Sequence, residues 1–123
     1  MTAAETTDVT LEAMTSDATE TPLSVSSSDE NGQTLITAVG EVDAASADVL
    51  RGAIFEAIDG GQSNIGIDMN EVSFIDSSGL RVLIAGYKAA EGAGGALTVK
   101  SPSDAVVRLL EITGQLDRFV VAS

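Results

Sequence analysis

Hydrophobic and polar positions repeat with two different periods along this chain. The runs LSVSSS and TLITAVG flank Asp29-Glu30-Asn31-Gly32. Asn-Gly between two β-prone runs predicts a hairpin, because both residues tolerate positive φ. Strands are expected near Leu23–Ser27 and Thr34–Val39. In GEVDAASADVLRGAIFEAIDGG the period becomes helical: Leu50, Ala53, Ile54, Ala57 and Ile58 share one face. Asp43 is the candidate N-cap and Gly60-Gly61 the stop. IGIDM returns to alternation, with Ile65, Ile67 and Met69 on one side, and VSFI extends the turn after it.

A second helix follows in SFIDSSGLRVLIAGYK, Ser73 to Lys88. Leu80, Leu83, Ile84 and Tyr87 form its apolar face, with Arg81 and Lys88 off that face as a solvent side requires. EGAGG ends this helix and ALTVKS reads as a strand. Ser101-Pro102-Ser103-Asp104 then supplies a start signal, with Ser101 as cap, Pro102 at the first helical position and an acid in the first turn. Val106, Leu109, Leu110 and Thr113 make the stripe of a third helix, Gly114 stops it, and RFVVA forms a last short strand. The predicted order is ββαβαβαβ. That is an α/β fold: a mixed β-sheet with an opening β-hairpin and helices packed on it.

A chain of 123 residues with 44% apolar side chains suits one domain with a real core. Phe55, Phe74, Tyr87 and Phe119 are all of its aromatic residues, so that core is mainly aliphatic. The first twenty residues carry five acids and no base, with few large apolar groups to offset the cost of ordering. They predict a flexible acidic tail over residues 1–21, with only a weak helical pattern at Val9–Met14, and a folded domain over 22–123. The formal charge of −13 outlasts the tail, since fourteen acids remain against six bases. Such a surface repels phosphate backbones and anionic membranes, so neither nucleic acid nor a membrane is an expected partner, while a basic protein surface is. No apolar run approaches the ~20 residues that span a bilayer, and no signal-peptide pattern is visible. A soluble cytoplasmic protein is the expectation.

The chain has no Cys and no His. Disulfides, zinc fingers, thiol catalysis and the Ser-His-Asp triad are thereby excluded, and no Walker-type phosphate loop or other cofactor motif is present. An enzyme is not expected, and no cofactor or metal is called for. Candidate chemistry then narrows to the two hydroxyls in Asp76-Ser77-Ser78-Gly79. One reading makes Ser77 or Ser78 the N-cap of the helix, Asp76 a helpful acid and Gly79 a point of close packing. The other starts from the same physics, because a helix start that welcomes an acid also tolerates a phosphate. Phosphoserine there adds about −1.5 to −2 charges and makes a local off-switch for any partner docking over the helix start. A serine nucleophile fails for want of a base, and IDSSGL lacks the nucleophile-elbow pattern.

Three stretches in order carry a family resemblance. SFIDSSGLRVLIAGYKAAEGAGGALTV resembles the signature of bacterial anti-sigma factor antagonists, the STAS-domain proteins. GEVDAASADVL resembles the family's turn before the first helix, and SPSDAVVRLLEITGQLDRFV its closing helix and last strand. The resemblance covers about four fifths of the chain, the tail excluded, and implies the same element order as the periodicity. It implies a protein that binds an anti-sigma factor, often a serine kinase of the histidine-kinase-like ATPase type, and so frees a sigma factor. It implies Ser77 as the phosphoacceptor, with phosphorylation ending binding and a PP2C-type phosphatase restoring it. Asp76 then flanks the acceptor, Ser78 is a structural cap, Gly79 allows close approach and Asp43 lies near the same surface. Arg81 stands where many relatives carry a small residue. It is either a contact for phosphate or an acidic group, or an ordinary exposed Arg. A monomer or weak dimer is expected. The family also includes scaffolds of stress-signalling complexes and accessory subunits of lipid ABC transporters, which are the alternative functions.

Overall fold

The computed structural model describes residues 23–120. The expected acidic tail, with its weak helical pattern, lies outside the described residues. The opening hairpin is tighter and longer than its apolar runs suggest. Strand β1 (Leu23–Glu30) pairs antiparallel with β2 (Gln33–Val42), and Glu30 faces Gln33 across a two-residue loop. That loop is Asn31-Gly32, with φ of 52° and 80°, the positive pair that matches strand twist. The polar residues Ser26–Glu30 are thus strand rather than turn: they form the exposed end of an edge strand.

The chain continues as α1 (Ala47–Asp59), β3 (Asn64–Ile75), α2 (Ser77–Gly92), β4 (Ala96–Lys100), α3 (Asp104–Ile112) and α4 (Leu116–Phe119). The sheet order is β1-β2-β3-β4, with β2–β3 and β3–β4 parallel. Each parallel step needs a crossover, which α1 and α2 provide. All four helices contribute to one buried cluster, with Leu50 and Ile54 of α1, Leu83 of α2, Val106 and Leu110 of α3 and Phe119 of α4 fully covered over Ile36, Ile65 and Ile67. The strand positions facing the other way, such as Leu35, Thr37, Asp68 and Thr98, are half-buried.

Three local expectations are corrected. VSFI is not part of a turn: β3 runs on through it to Ile75. The register against β2 slips between Thr37/Val39 and again between Gly40/Glu41, each time adding one residue to β3. The buried positions of β3 therefore run 65, 67, 69, then 72 and 75, so strict alternation fails where the strand bulges. Ser101 and Pro102 do not open a helix. Ser101 takes a positive φ of 48°, and α3 starts two residues later with Ser103 as N-cap. The Ser103 hydroxyl donates to the carbonyl of Val72 and its oxygen receives the Val106 N–H, so α3 is anchored on the bulged end of β3. Thr113, placed in the buried stripe by spacing, is exposed.

RFVVA does not form a strand within the described residues. Leu116–Phe119 is a single helical turn, and Val120 follows it in extended backbone. Burial decides this. Phe119 is fully covered as a helical residue and meets Tyr87 edge to face at 5.6 Å and 75°. The observed order is ββαβαβαα, and the α/β class with an opening hairpin stands.

Candidate functional site

The site is built where β2 and β3 leave the sheet side by side. Val42 pairs with Ile75, and the Asp76 N–H donates to the Val42 carbonyl at 3.2 Å. Asp43 follows Val42 directly, so the sequence-predicted residues Asp43 and Asp76 are carried to the same edge of the molecule by one parallel strand pair.

Their local roles differ from the expected ones. Asp43 does not cap α1; Ser46 occupies that position. The Asp43 carboxylate instead receives the N–H groups of Ala45 and Ser46, both at 3.0 Å, and closes the turn that precedes the helix. Its carbonyl accepts from Ala47 at 2.8 Å. The buried Ser46 hydroxyl donates to the Glu41 carbonyl at 2.7 Å and accepts from the Asp43 N–H at 3.0 Å. Five residues, Glu41, Asp43, Ala45, Ser46 and Ala47, are thus tied by hydrogen bonds at the end of β2.

At the second corner the N-cap of α2 is Asp76, and neither serine fills it. Asp76 is extended, and its side chain receives the N–H of Ser78 at 2.8 Å and of Gly79 at 3.4 Å. A carboxylate is favoured at this position twice over, as an acceptor for orphan N–H groups and as a negative charge at the helix start. Ser77 is the first helical residue and is exposed, and its hydroxyl makes no hydrogen bond among the described residues. Ser78 is half-buried.

Gly79 is buried against the strand ends. A Cβ there would lie 2.7 Å from Ile75 Cγ1 and 2.8 Å from Val42 Cγ1. Gly86, two turns on, meets Ile54 and Leu97 in the same way, at 2.9 and 3.0 Å. The fully buried line of α2 is accordingly Gly79, Val82, Leu83, Gly86 and Ala90. Leu80, Ile84 and Tyr87, placed at the centre of the apolar face by spacing, are half-buried. A hydropathy count weights large side chains, whereas a helix lying close on a sheet turns its small ones inward.

Arg81 is exposed and lines a cleft of about 340 Å³ between α1 and α2, together with Ala44, Asp48, Arg51, Ser78 and Val82. The Arg51 guanidinium stands over the Phe55 ring, 4.8 Å from its centroid. Two of the six basic side chains in the chain line this cleft. Periodicity put Arg81 on a solvent face but had no means of showing that it shares a cleft with Arg51 of α1. Phe74 was read only as core composition, yet it is 46% exposed at the end of β3, two residues before Asp76. A large apolar side chain so exposed beside a candidate site is a natural contact for a partner.

Among the described residues no group of three or more His, Cys, Asp or Glu side chains is placed to hold a metal ion, and no helix is long and apolar enough to cross a membrane. The arrangement presents an exposed Ser77 hydroxyl on the first residue of a capped helix, next to the Asp76 carboxylate, while Ser78 and Arg81 of the same helix line the cleft.

Comparison with known proteins places this architecture. The chain is 34% identical over 82 residues to the anti-sigma-B factor antagonist of Bacillus subtilis, covering 67% of this chain and 74% of the relative. It superposes on the unphosphorylated anti-sigma factor antagonist SpoIIAA with a TM-score of 0.70 at 22% identity, covering 81% of this chain and 89% of that one. The phosphorylated form of the Bacillus SpoIIAA gives 0.65 at 22%, with coverage of 81% and 92%. An anti-sigma factor antagonist from Mycobacterium paratuberculosis gives 0.68 at 26%, with coverage of 79% and 82%. The STAS domain family matches residues 25–123. With sheet order, helix placement and sequence in agreement, this chain belongs to the STAS domain family of anti-sigma factor antagonists.

Proposed function

We propose that this protein is an anti-sigma factor antagonist switched at Ser77. In its unmodified form the surface made by the Asp43 turn, Phe74, Asp76–Gly79 and Arg81 binds an anti-sigma factor and releases a sigma factor. The partner is a serine kinase of the histidine-kinase-like ATPase type. The Ser77 hydroxyl oxygen attacks the γ-phosphorus of ATP held by that kinase. The new O–P bond forms as the bond to the bridging oxygen of ADP breaks, ADP leaves, and the hydroxyl proton passes to a base on the kinase. A PP2C-type phosphatase returns the hydroxyl by hydrolysis, with inorganic phosphate as the product. The protein acts as substrate and switch, not as enzyme, in the cytoplasm.

One observation carries this reading. The alternative role for Ser77 was helix capping, and Asp76 performs it. Ser77 is left exposed with its hydroxyl uncommitted, which suits a modified residue better than a structural one. The relatives named as antagonists of anti-sigma factors support the partner, and the two forms in which SpoIIAA is described support phosphorylation as the switch.

The surface is acidic overall, so the phosphate acts locally, through its bulk and its strongly held hydration at the helix start, rather than through general repulsion of the partner. A singly charged, smaller Ser77→Asp side chain therefore blocks binding only in part. The test is a pull-down from native lysate with Ser77→Ala and Ser77→Asp baits side by side, bound proteins being identified by mass spectrometry. The expected result is a kinase-like anti-sigma factor held by the Ala bait and weakened on the Asp bait. A partner held equally by both, or a transporter ATPase, would remove the switch from Ser77.

A further inference from the structure

Arg81 stands four residues after Ser77 on α2, and both side chains are exposed. Positions four apart in a helix are neighbours on its surface, and an acid N-terminal to a base is the better order for an ion pair. Ser77 in its unmodified state offers Arg81 no charge to pair with, and Arg81 has no ion pair within 4.0 Å among the described residues. Arg81 instead lines the α1–α2 cleft that it shares with Arg51 and Asp48. Two cations against the single carboxylate of Asp48 leave the cleft lining net positive in a chain with a formal charge of −13, so it attracts an anion.

From this geometry we infer that Arg81 is the intramolecular receiver of the Ser77 phosphate, and that phosphorylation draws Arg81 out of the α1–α2 cleft. The inference rests on Ser77 being the modified residue. In the unmodified chain Arg51 and Arg81 together offer the cleft to a carboxylate of the docked partner. A phosphate on Ser77 presents about −1.5 to −2 charges and three acceptor oxygens one helical turn from Arg81, where the planar guanidinium forms paired, charge-assisted hydrogen bonds. Arg81 cannot serve both anions. Modification at Ser77 thus removes a cation from a surface it does not itself line, so the effect reaches beyond the bulk of the phosphate. Arg51 stays behind, held over the Phe55 ring one turn along its own helix.

The test uses the full chain with phosphoserine genetically encoded at position 77, so that it reads the ion pair whether or not a cell ever modifies this residue. Phosphorus NMR follows the phosphate through its second ionisation, near pH 6 for a free phosphoserine. A neighbouring cation favours the dianion and lowers the midpoint. The midpoint in the parent is expected to lie roughly 0.5 pH unit below that in Arg81→Ala, the size set by a charge-assisted pair at this spacing. Arg81→Lys, which keeps the charge, retains most of the lowering, and Arg51→Ala titrates with the parent. The helix start acts equally in all four proteins and cancels from the comparison. Titration of Arg81→Ala together with the parent, or an equal displacement in Arg51→Ala, would overturn the inference. Failure of the Ser77 reading itself shows elsewhere, as an unmodified Ser77 peptide in the mass spectrum of protein from its native cells.

Discussion

Replacing Gly79 by alanine adds one methyl group at the point where α2 meets the strand ends. That Cβ would sit 2.7 Å from Ile75 Cγ1 and 2.8 Å from Val42 Cγ1, far inside ordinary carbon–carbon contact. Neither neighbour yields easily. Both are β-branched, so their side-chain rotation is restricted, and Val42 is fully buried while Ile75 is 7% exposed. Overpacking of this kind costs about 1–3 kcal/mol. Alanine recovers up to about 1 kcal/mol through its helix propensity. The net expectation is a destabilisation of about 1–2 kcal/mol. With a urea m-value of about 1–3 kcal/mol/M, the unfolding midpoint falls on the order of 1 M.

The control is the same substitution elsewhere. Gly52 lies inside α1 and is exposed, and a Cβ there meets nothing within 4 Å. Gly52→Ala is expected to stabilise by about 0.5–1 kcal/mol, because only the entropy of the unfolded chain changes. Paired urea melts followed by circular dichroism decide the matter. A Gly79→Ala protein as stable as Gly52→Ala would refute the close-packing account of the helix start that presents Ser77.

Asp76→Ala leaves the N–H groups of Ser78 and Gly79 without their cap and should cost about 1 kcal/mol, whereas Asp76→Asn keeps an acceptor and most of the stability; equal losses in thermal or urea melts would show that the cap hydrogen bond is not what matters. Tyr87 is the sole tyrosine, and there is no tryptophan to obscure its titration. The Glu91 carboxylate one turn along pushes its phenol above the ordinary value of 10.0, with desolvation adding to this and Arg118 opposing it. Because the fold holds the proton more tightly than the unfolded chain does, this stabilisation is complete below pH 10 and is lost as pH rises through the raised folded value. Tyrosinate absorbance should therefore give a midpoint above 10 that drops in Glu91→Ala; an unmoved midpoint would assign the shift to burial instead.

Much of this fold is legible in single stretches of the chain. Asn31-Gly32 specifies its hairpin because few other residue pairs accept two positive φ angles, and the helical stripe through Leu50 and Ile54 faces the core as its spacing requires. The corner at Asp76-Ser77-Ser78-Gly79 is readable too, since polar and small residues between an apolar strand and an apolar helix mark a turn from one to the other. Which residue caps that corner is not. A capping role is open to Asp76, Ser77 and Ser78 alike, and the choice fell to the strand end: the Asp76 N–H is tied to Val42, which holds Asp76 extended and starts the helix one residue later.

The features that only the tertiary structure decides are those set by contact between distant segments. The bulges in β3 arise from its register against β2, so no local period announces them. Arg118 and Phe119, read as the start of a strand, instead end a helical turn over Leu116–Phe119, because Phe119 is buried against Tyr87. Arg51 and Arg81 are thirty positions apart and share a cleft only because two crossover helices lie side by side on a parallel sheet. Local sequence determines what each segment prefers, within a few dihedral choices per residue. Long-range packing chooses among those preferences, since buried area and excluded volume outweigh propensities that differ by less than about 1 kcal/mol per residue.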